Sequence, residues 1–191
     1  MKKLIFATHN ANKVKEVRNQ LMGTYEILGL NDIGFHEEII EDKKTIVENS
    51  IAKVKFVKER TGYDCFADDT GLEVNALNGK PGVFSKRFAG QNASSDDNIN
   101  KLLHMLKGKR DRRAQFKTVI SLFNNGEIQT FEGICKGNIG FKRSGNFGFG
   151  YDPIFIPNNY NKTLAELSTK EKNEISHRSI AVTKLINFLI N

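Results

Sequence analysis

A chain of 191 residues with 39% hydrophobic and 27% charged side chains is long enough for one sizeable core, or for one core divided by a cleft into two lobes, and has the balance of an ordinary soluble protein. No apolar run approaches the roughly 20 residues of a membrane span, and the opening KKLIFATHN lacks the long apolar region and small-residue cleavage site of a signal peptide, so the cytoplasm is the expected compartment and no membrane is an expected partner. The formal net charge of +7 admits nucleic acid as a partner and equally admits a small phosphate-rich ligand.

In chain order, KLIFAT reads as a short strand that meets the tight turn HNANK, after which Val14, Val17 and Leu21 recur at helical spacing. YEILGL is a second strand candidate. Thr45 to Thr61 reads as a helix whose Ile46, Val47, Ile51, Val54 and Val57 fall within an arc of roughly 140° at about 100° per residue. CFADD ends a strand, LEVNAL follows at once, NGKPG is a turn, and SSDDNINKLLHMLKG is a helix capped by Ser94 or Ser95. AQFKTVISLF and IQTFEGICKGNIGF are two long strands joined through the hairpin turn NNGE, and the last helix runs from about His177 to Leu189. There is no internal repeat or low-complexity linker, and the order of elements argues an α/β fold with a mixed sheet. Cys65 and Cys135 lie in apolar strand-like runs, which suits buried thiols better than a disulfide framework or metal site.

The polar residues then fall into place. THNANK stands where a strand gives way to a helix, where free N–H groups and the helix dipole favour an anion. Thr8 and Asn10 can offer donors there and Lys13 points back over the turn; alternatively Asn10 caps the helix and Lys13 faces water. Lys53 lies at the edge of the buried helical arc, where it either reaches into a cleft or snorkels. In ADDTG, adjacent strand residues point to opposite faces, so Asp68 and Asp69 do different jobs: one could hold a hard cation, unless the segment is simply an Asp–Gly turn. GNFGFGYDPIF, residues 145–155, is either a mould in which Phe147, Phe149 or Tyr151 stacks on a flat base, or a set of rings that plugs the core. KGKRDRR, residues 107–113, holds an Asp between a helix-like segment and a strand and reads as a solvated connection. EKNEISHRS adds donors at Lys172, His177 and Arg178, with no strained nucleophile turn and no HExxH or Walker spacing.

THNANK, TIVENSIAK, FADDTGLEVNALNGKPGVFSKRFAG, FGYDPIF and EKNEISHRSIA occur in this order across nearly the whole chain. Together they resemble the inosine triphosphate pyrophosphatase family, which hydrolyses non-standard purine nucleoside triphosphates. The resemblance implies an elongated mixed β-sheet flanked by helices, with two lobes around a central cleft in one domain spanning residues 1–191, a homodimer and a Mg2+ requirement. It also implies conversion of ITP, dITP and XTP to the monophosphate and pyrophosphate. The family pattern puts the triphosphate on Thr8, His9, Asn10, Ala11, Asn12 and Lys13, with Lys53, Thr70 and Lys172 as further contacts. Glu41 matches a metal-binding glutamate, Asp69 the residue that serves both metal and proton acceptance, and Asp68 its adjacent catalytic support. Phe149, Gly150, Tyr151 and Asp152, with His177 and Arg178, correspond to the purine pocket. His9 stands where glycine is frequent in the family, Ser50 where alanine is usual, and Thr70 where serine is frequent. Two rival readings are a basic single-stranded nucleic-acid-binding module and a house-cleaning pyrophosphatase for other modified nucleotides; on the resemblance, no nucleic acid is needed to explain the basic balance.

Overall fold

The computed structural model of the protein describes residues 2–21 and 25–190. In these the chain forms β1 (Lys2–Phe6), α1 (Ala11–Leu21), β2 (Tyr25–Gly29), α2 (Ile46–Thr61), β3 (Cys65–Val74), β4 (Pro81–Gly82), α3 (Ser95–Met105), β5 (Arg113–Asn124), β6 (Glu127–Ile139), β7 (Phe155–Pro157), α4 (Thr169–Ile175) and α5 (His177–Ile190). The strand order is β2-β1-β3-β5-β6-β7, with β4 paired to β3. β1 runs parallel to β2 and β3, whereas β3–β4 and β6–β7 are antiparallel, so the sheet is mixed as expected.

Local chemistry sets the helix ends. Thr45, Ser94 and Ser168 cap α2, α3 and α4, each accepting the N–H of an acidic residue three positions on, whose carboxylate returns to the cap. Such a reciprocal box satisfies two donors that a helix start otherwise leaves open. The expected choice between Ser94 and Ser95 therefore resolves to Ser94, and the polar segment before the last helix is itself helical. Asn125 and Gly126 both have positive φ, 51° and 87°, the two-residue hairpin geometry that Asn-Gly favours.

By internal contacts the chain forms two compact units: Met1–Asp69 with Thr118–Gly133 and Arg178–Asn191, and Thr70–Lys117 with Ile134–His177. In the first, the side chains of β1 alternate. Leu4 and Phe6 pack with α1 and α5 through Val14, Val17, Leu21, Val182 and Leu185, while Ile5 and Ala7 pack with Val54 and Val57 of α2. A strand so covered on both faces reads as a nearly continuous apolar run, which is what KLIFAT is. Phe6 and Phe66 stack at 4.4 Å in this core, and truncating either to alanine would cost about 3–5 kcal/mol. The second unit has its own core around Leu72, Ile99, Leu102, Phe116, Ile139, Phe155 and Leu164.

One expectation is corrected. β3 does not end at Asp69 but continues to Val74. Its parallel pairing with β1 stops at Phe66, and its antiparallel pairing with β4 begins at Leu72. The strand end that the sequence suggested belongs to β1, and Asp68 and Asp69 lie just beyond it on a chain that stays extended.

Candidate active site

The first unit gathers residues from the turn after β1 and α1, the loop at Glu41, α2, β3 and the start of α5. In the turn after β1, Asn10 Oδ1 accepts the N–H groups of Asn12 and Lys13 at 3.0 and 3.3 Å, so Asn10 caps α1. Thr8 Oγ1 accepts the Asn10 N–H at 3.2 Å. His9, exposed, places Nδ1 3.0 Å from Asn31 Oδ1 and donates from Nε2 to the Glu37 carbonyl at 2.9 Å. Ala11 and Asn12 are exposed in the first turn of α1. Lys13 does not face water: its Nζ donates to Asp68 Oδ1 at 2.7 Å.

Asp68 and Asp69 have separate partners, as opposite faces of a strand require. Asp68, 1% exposed, takes Lys13 on one oxygen and Arg178 Nε on the other at 3.0 Å, and Arg178 Nη1 also meets Glu16 Oε2. Burial works against the charged form of Asp68, but the Lys13 ammonium and Arg178 guanidinium outweigh it and hold the carboxyl well below the usual carboxylate range. Asp69 receives Lys53 Nζ on Oδ1 at 2.9 Å and Asn49 Nδ2 on Oδ2 at 3.2 Å. Lys53 is 4% exposed, so it reaches inward rather than snorkelling, and all three of its protons have acceptors: Asp69 Oδ1, the Asp68 carbonyl at 3.0 Å and Glu41 Oε1 at 2.6 Å. Burial disfavours the Lys53 ammonium, yet Asp69, Glu41 and Asp68 together raise its pKa. One ammonium shared by two carboxylates cannot fully compensate both: burial, with Glu41 adding to it, pushes the Asp69 carboxyl above its ordinary value.

Among the described residues no group of three or more His, Cys, Asp and Glu side chains gathers as a metal cage. The fit to a divalent cation rests instead on Glu41 and Asp69, two carboxylates that meet at a single ammonium. One or two carboxylates completed by substrate phosphates are the usual setting for Mg2+.

The second unit holds the aromatic loop, and its rings divide between the two readings. Tyr151 is buried and its hydroxyl donates to the Ser85 carbonyl at 2.9 Å, so it plugs the core. Phe147 is 67% exposed. Phe149 is half-buried with Lys172 Nζ 5.2 Å from its ring centroid. Asp152 fixes this arrangement, since its Oδ2 accepts both Lys172 Nζ at 2.7 Å and the Phe149 N–H at 2.9 Å. Close approach explains two glycines: a Cβ on Gly148 would lie 2.1 Å from Asp152 Oδ2, and one on Gly145 2.2 Å from the Ala165 backbone, both at positive φ. Gly150 also has positive φ, Thr70 is half-buried on β3, and His177 is buried with its ring stacked 4.5 Å from Phe116.

In the basic run at 107–113, Arg112 is buried and donates to the carbonyls of Ile139, Gly140 and Leu106, while Arg113 pairs with Asp111. Both cysteines are free and buried, and burial pushes the thiols up to about 12 for Cys65 and about 11 for Cys135. No helix among the described residues is long and apolar enough to cross a membrane. Sequence reasoning passed over Glu16 and Asn49. Their signal was positional: Glu16 follows Lys13 by three and Asn49 precedes Lys53 by four, the spacings that share a helix face.

A buried and a half-buried lysine set against carboxylates beyond the end of a parallel strand define an α/β protein equipped for a charged ligand. Residues 4–188 match the Ham1 family model, and the chain belongs to the Ham1 family. It is 52% identical over 188 residues to the dITP/XTP pyrophosphatase of Flavobacterium psychrophilum, covering 98% of this chain and 99% of that one. It is 44% identical over 193 residues to the dITP/XTP pyrophosphatase of Bacillus subtilis, covering 99% and 98%. Among solved structures, the Ham1 protein of Coxiella burnetii superposes with a TM-score of 0.90 at 37% identity, covering all of this chain and 99% of that one. That of Staphylococcus aureus superposes with a TM-score of 0.88 at 39% identity, covering 98% of each.

Proposed function

We propose that this protein is a nucleoside-triphosphate pyrophosphatase that hydrolyses noncanonical purine nucleotides, ITP, dITP and XTP, to the monophosphate and pyrophosphate, and so cleanses the nucleotide pool. The observation that carries this reading is the buried Lys53, bonded at once to Asp69 and Glu41. Full-length relatives named for this activity support it. The basic run gives little support to a nucleic-acid-binding module, because Arg112 is engaged with three backbone carbonyls.

The reaction adds water at the α-phosphorus and breaks the bond to the bridging oxygen, and the leaving pyrophosphate carries the developing charge. Asp69 accepts the proton of the attacking water. Lys13 and Lys53 neutralise charge on the phosphates, the main demand of phosphoryl chemistry, with Thr8 to Lys13, Thr70 and Lys172 as contacts. Asp68 holds Lys13 and Arg178 in place. Glu41 and Asp69 would hold Mg2+, which supplies Lewis-acid stabilisation of the phosphate oxygens when bound. Phe149 offers its face to the purine, framed by Gly150, Asp152 and His177 on a loop that Tyr151 anchors in the core, and Arg178 donates to the 6-oxygen that distinguishes hypoxanthine and xanthine from adenine.

Residues 1–191 act as one domain serving one substrate molecule, the protein works as a homodimer in the cytoplasm, and its metal is Mg2+. Pyrophosphate release measured over ITP, dITP, XTP, ATP, GTP and modified pyrimidine triphosphates tests the reading. A clear preference for the first three is expected, and a preference for pyrimidines, or no release, would overturn it.

A further inference from the structure

The loop that carries Glu41 and the strand that carries Asp69 are tied by one side chain to which the reaction above assigns no role. Asn49, 1% exposed on α2, donates from Nδ2 to Asp69 Oδ2 at 3.2 Å and accepts at Oδ1 the backbone N–H of Lys43 at 3.0 Å. The amide orientation follows from the partners: a carboxylate can only accept and a backbone N–H can only donate, so oxygen must face Lys43 and nitrogen Asp69. Lys43 stands two residues after Glu41. One amide thus anchors the loop behind the first carboxylate and aims the second.

Lys53 bonds the other oxygen of Asp69 and also bonds Glu41. The two proposed ligands are therefore bridged twice, by an ammonium in front and by an amide behind. The bridges differ in kind. A divalent cation arriving between Glu41 and Asp69 would compete with Lys53 for the carboxylate oxygens, whereas Asn49 approaches Asp69 on Oδ2 and reaches Glu41 only through the backbone. It can keep both bonds while the cation binds.

We infer that Asn49 is a positioning residue for the divalent metal, holding Glu41 and Asp69 at one separation before the cation arrives. This rests on the proposed function of the same site. Side chains that orient ligating groups typically contribute 10–100-fold to metal affinity or activity, about the effect expected here.

Asn49→Ala in the full chain provides the test, read in two ways. The Mn2+ concentration for half-maximal ITP hydrolysis should rise at least about tenfold, while the KM for ITP at saturating Mn2+ stays within about threefold. Calorimetric titration of MnCl2 into the protein without nucleotide should show a parallel loss of affinity. A lowered Tm with an unchanged Mn2+ midpoint and unchanged calorimetric affinity would overturn the inference and make Asn49 a support of the fold only. If Asn49→Ala fails to fold, Asn49→Ser, which leaves a polar group but cannot span both partners, carries the same measurements. Wild-type protein that releases no pyrophosphate from any triphosphate overturns the proposed function and this inference together; active, metal-dependent wild type with a variant that titrates identically overturns this inference alone.

Discussion

Two buried lysine–carboxylate pairs, Lys53–Asp69 and Lys172–Asp152, have nearly equal lengths of 2.9 and 2.7 Å, yet their surroundings differ in kind. Around Asp69 and its neighbour the partners are themselves charged: Lys13, Lys53 and Arg178 face Glu16, Glu41, Asp68 and Asp69, three cations against four carboxylates. Asp152 pairs with Lys172, and its carboxylate also accepts a backbone N–H while the lysine covers a ring. The first arrangement suits a ligand that is itself highly charged, such as a metal with a polyphosphate. The second suits a flat group that has to be held by shape. Loss of Lys13 or Lys53 in the first region should therefore affect every nucleotide alike, and loss of the Phe149 ring in the second should act through the base.

The largest effect should separate the two adjacent aspartates. Asp69→Asn keeps shape but removes the base, and pyrophosphate release from ITP should fall by about 10²–10⁴-fold. Its stability should hold, and the sign follows from the shift. The Asp69 pKa is raised in the fold, so the ionised carboxylate works against folding at neutral pH, and the penalty disappears only as pH falls through that raised value. Asp68 is shifted the other way, so its contribution is present above its unfolded pKa of about 3.9 and is lost as pH falls through its lower folded value. Asp68→Asn should thus lower Tm at pH 7 where Asp69→Asn does not, and thermal melts from pH 7 to pH 3 should show the gap closing. Equal Tm values at pH 7 would remove the distinction drawn between the two carboxylates.

Next come the lysines. Lys53→Ala leaves the buried Asp69 without its ammonium and beside the half-buried Glu41, which should cost about 3–5 kcal/mol of stability, read by urea denaturation. Lys13→Ala should cost less, because Asp68 keeps Arg178. Both variants should slow hydrolysis of ITP, XTP and ATP by similar factors, since a contact to phosphate carries no information about the base. Loss confined to one nucleotide would move that lysine from the phosphates to base selection.

How much of this was legible in the sequence depended on the range of the interaction. A cap at Ser94 or Ser95 and the Asn125–Gly126 turn could be read because capping and turn chemistry act over three or four residues. Lys53 was legible as a polar residue at the edge of an apolar arc, and the alternation rule separated Asp68 from Asp69. The continuation of β3 past Asp69 was not, because the glycine at 71 resembles a turn and the pairing of Leu72 with Gly82 is made by a distant segment. Nor was the contact of Arg178 with Asp68, which spans 110 positions and leaves no periodic trace. In the glycine-rich loop, no period applies, so nothing local distinguishes the buried Tyr151 from the exposed Phe147.

Arg178 tests whether a residue bonded to Asp68 can also read the base. Its Nε and Nη1 are engaged by Asp68 and Glu16, which holds the guanidinium plane fixed. A fixed donor facing the purine 6-oxygen would meet an amino group in adenine, and leaving such groups unpaired costs about 1–3 kcal/mol, roughly ten- to a hundredfold. Arg178→Ala should therefore lower kcat/KM for ITP more than for ATP by about that factor. Equal losses, together with a Tm drop like that of Asp68→Asn, would confine Arg178 to the support of Asp68.

The smallest effect should come from Phe149. Its ring is half-buried, is held by a backbone N–H to Asp152, and has the Lys172 ammonium 5.2 Å from its centroid. The backbone bond does not depend on the side chain, so Phe149→Ala should leave the loop, the Asp152–Lys172 pair and the Tm nearly unchanged. What it removes is a stacking face, worth about 1–3 kcal/mol per base in settings where bases stack on aromatic side chains. A half-exposed ring beside a cation belongs at the low end, so a loss of about tenfold is expected. Stacking is tolerant of the base because every purine has the same π-face, so the loss should be equal for ITP and ATP and should fall on KM rather than on kcat. Steady-state kinetics with both nucleotides decides this: a loss concentrated in kcat would place Phe149 in the reacting geometry, and a loss confined to ITP would give the aromatic loop the power of choice that is assigned here to Arg178.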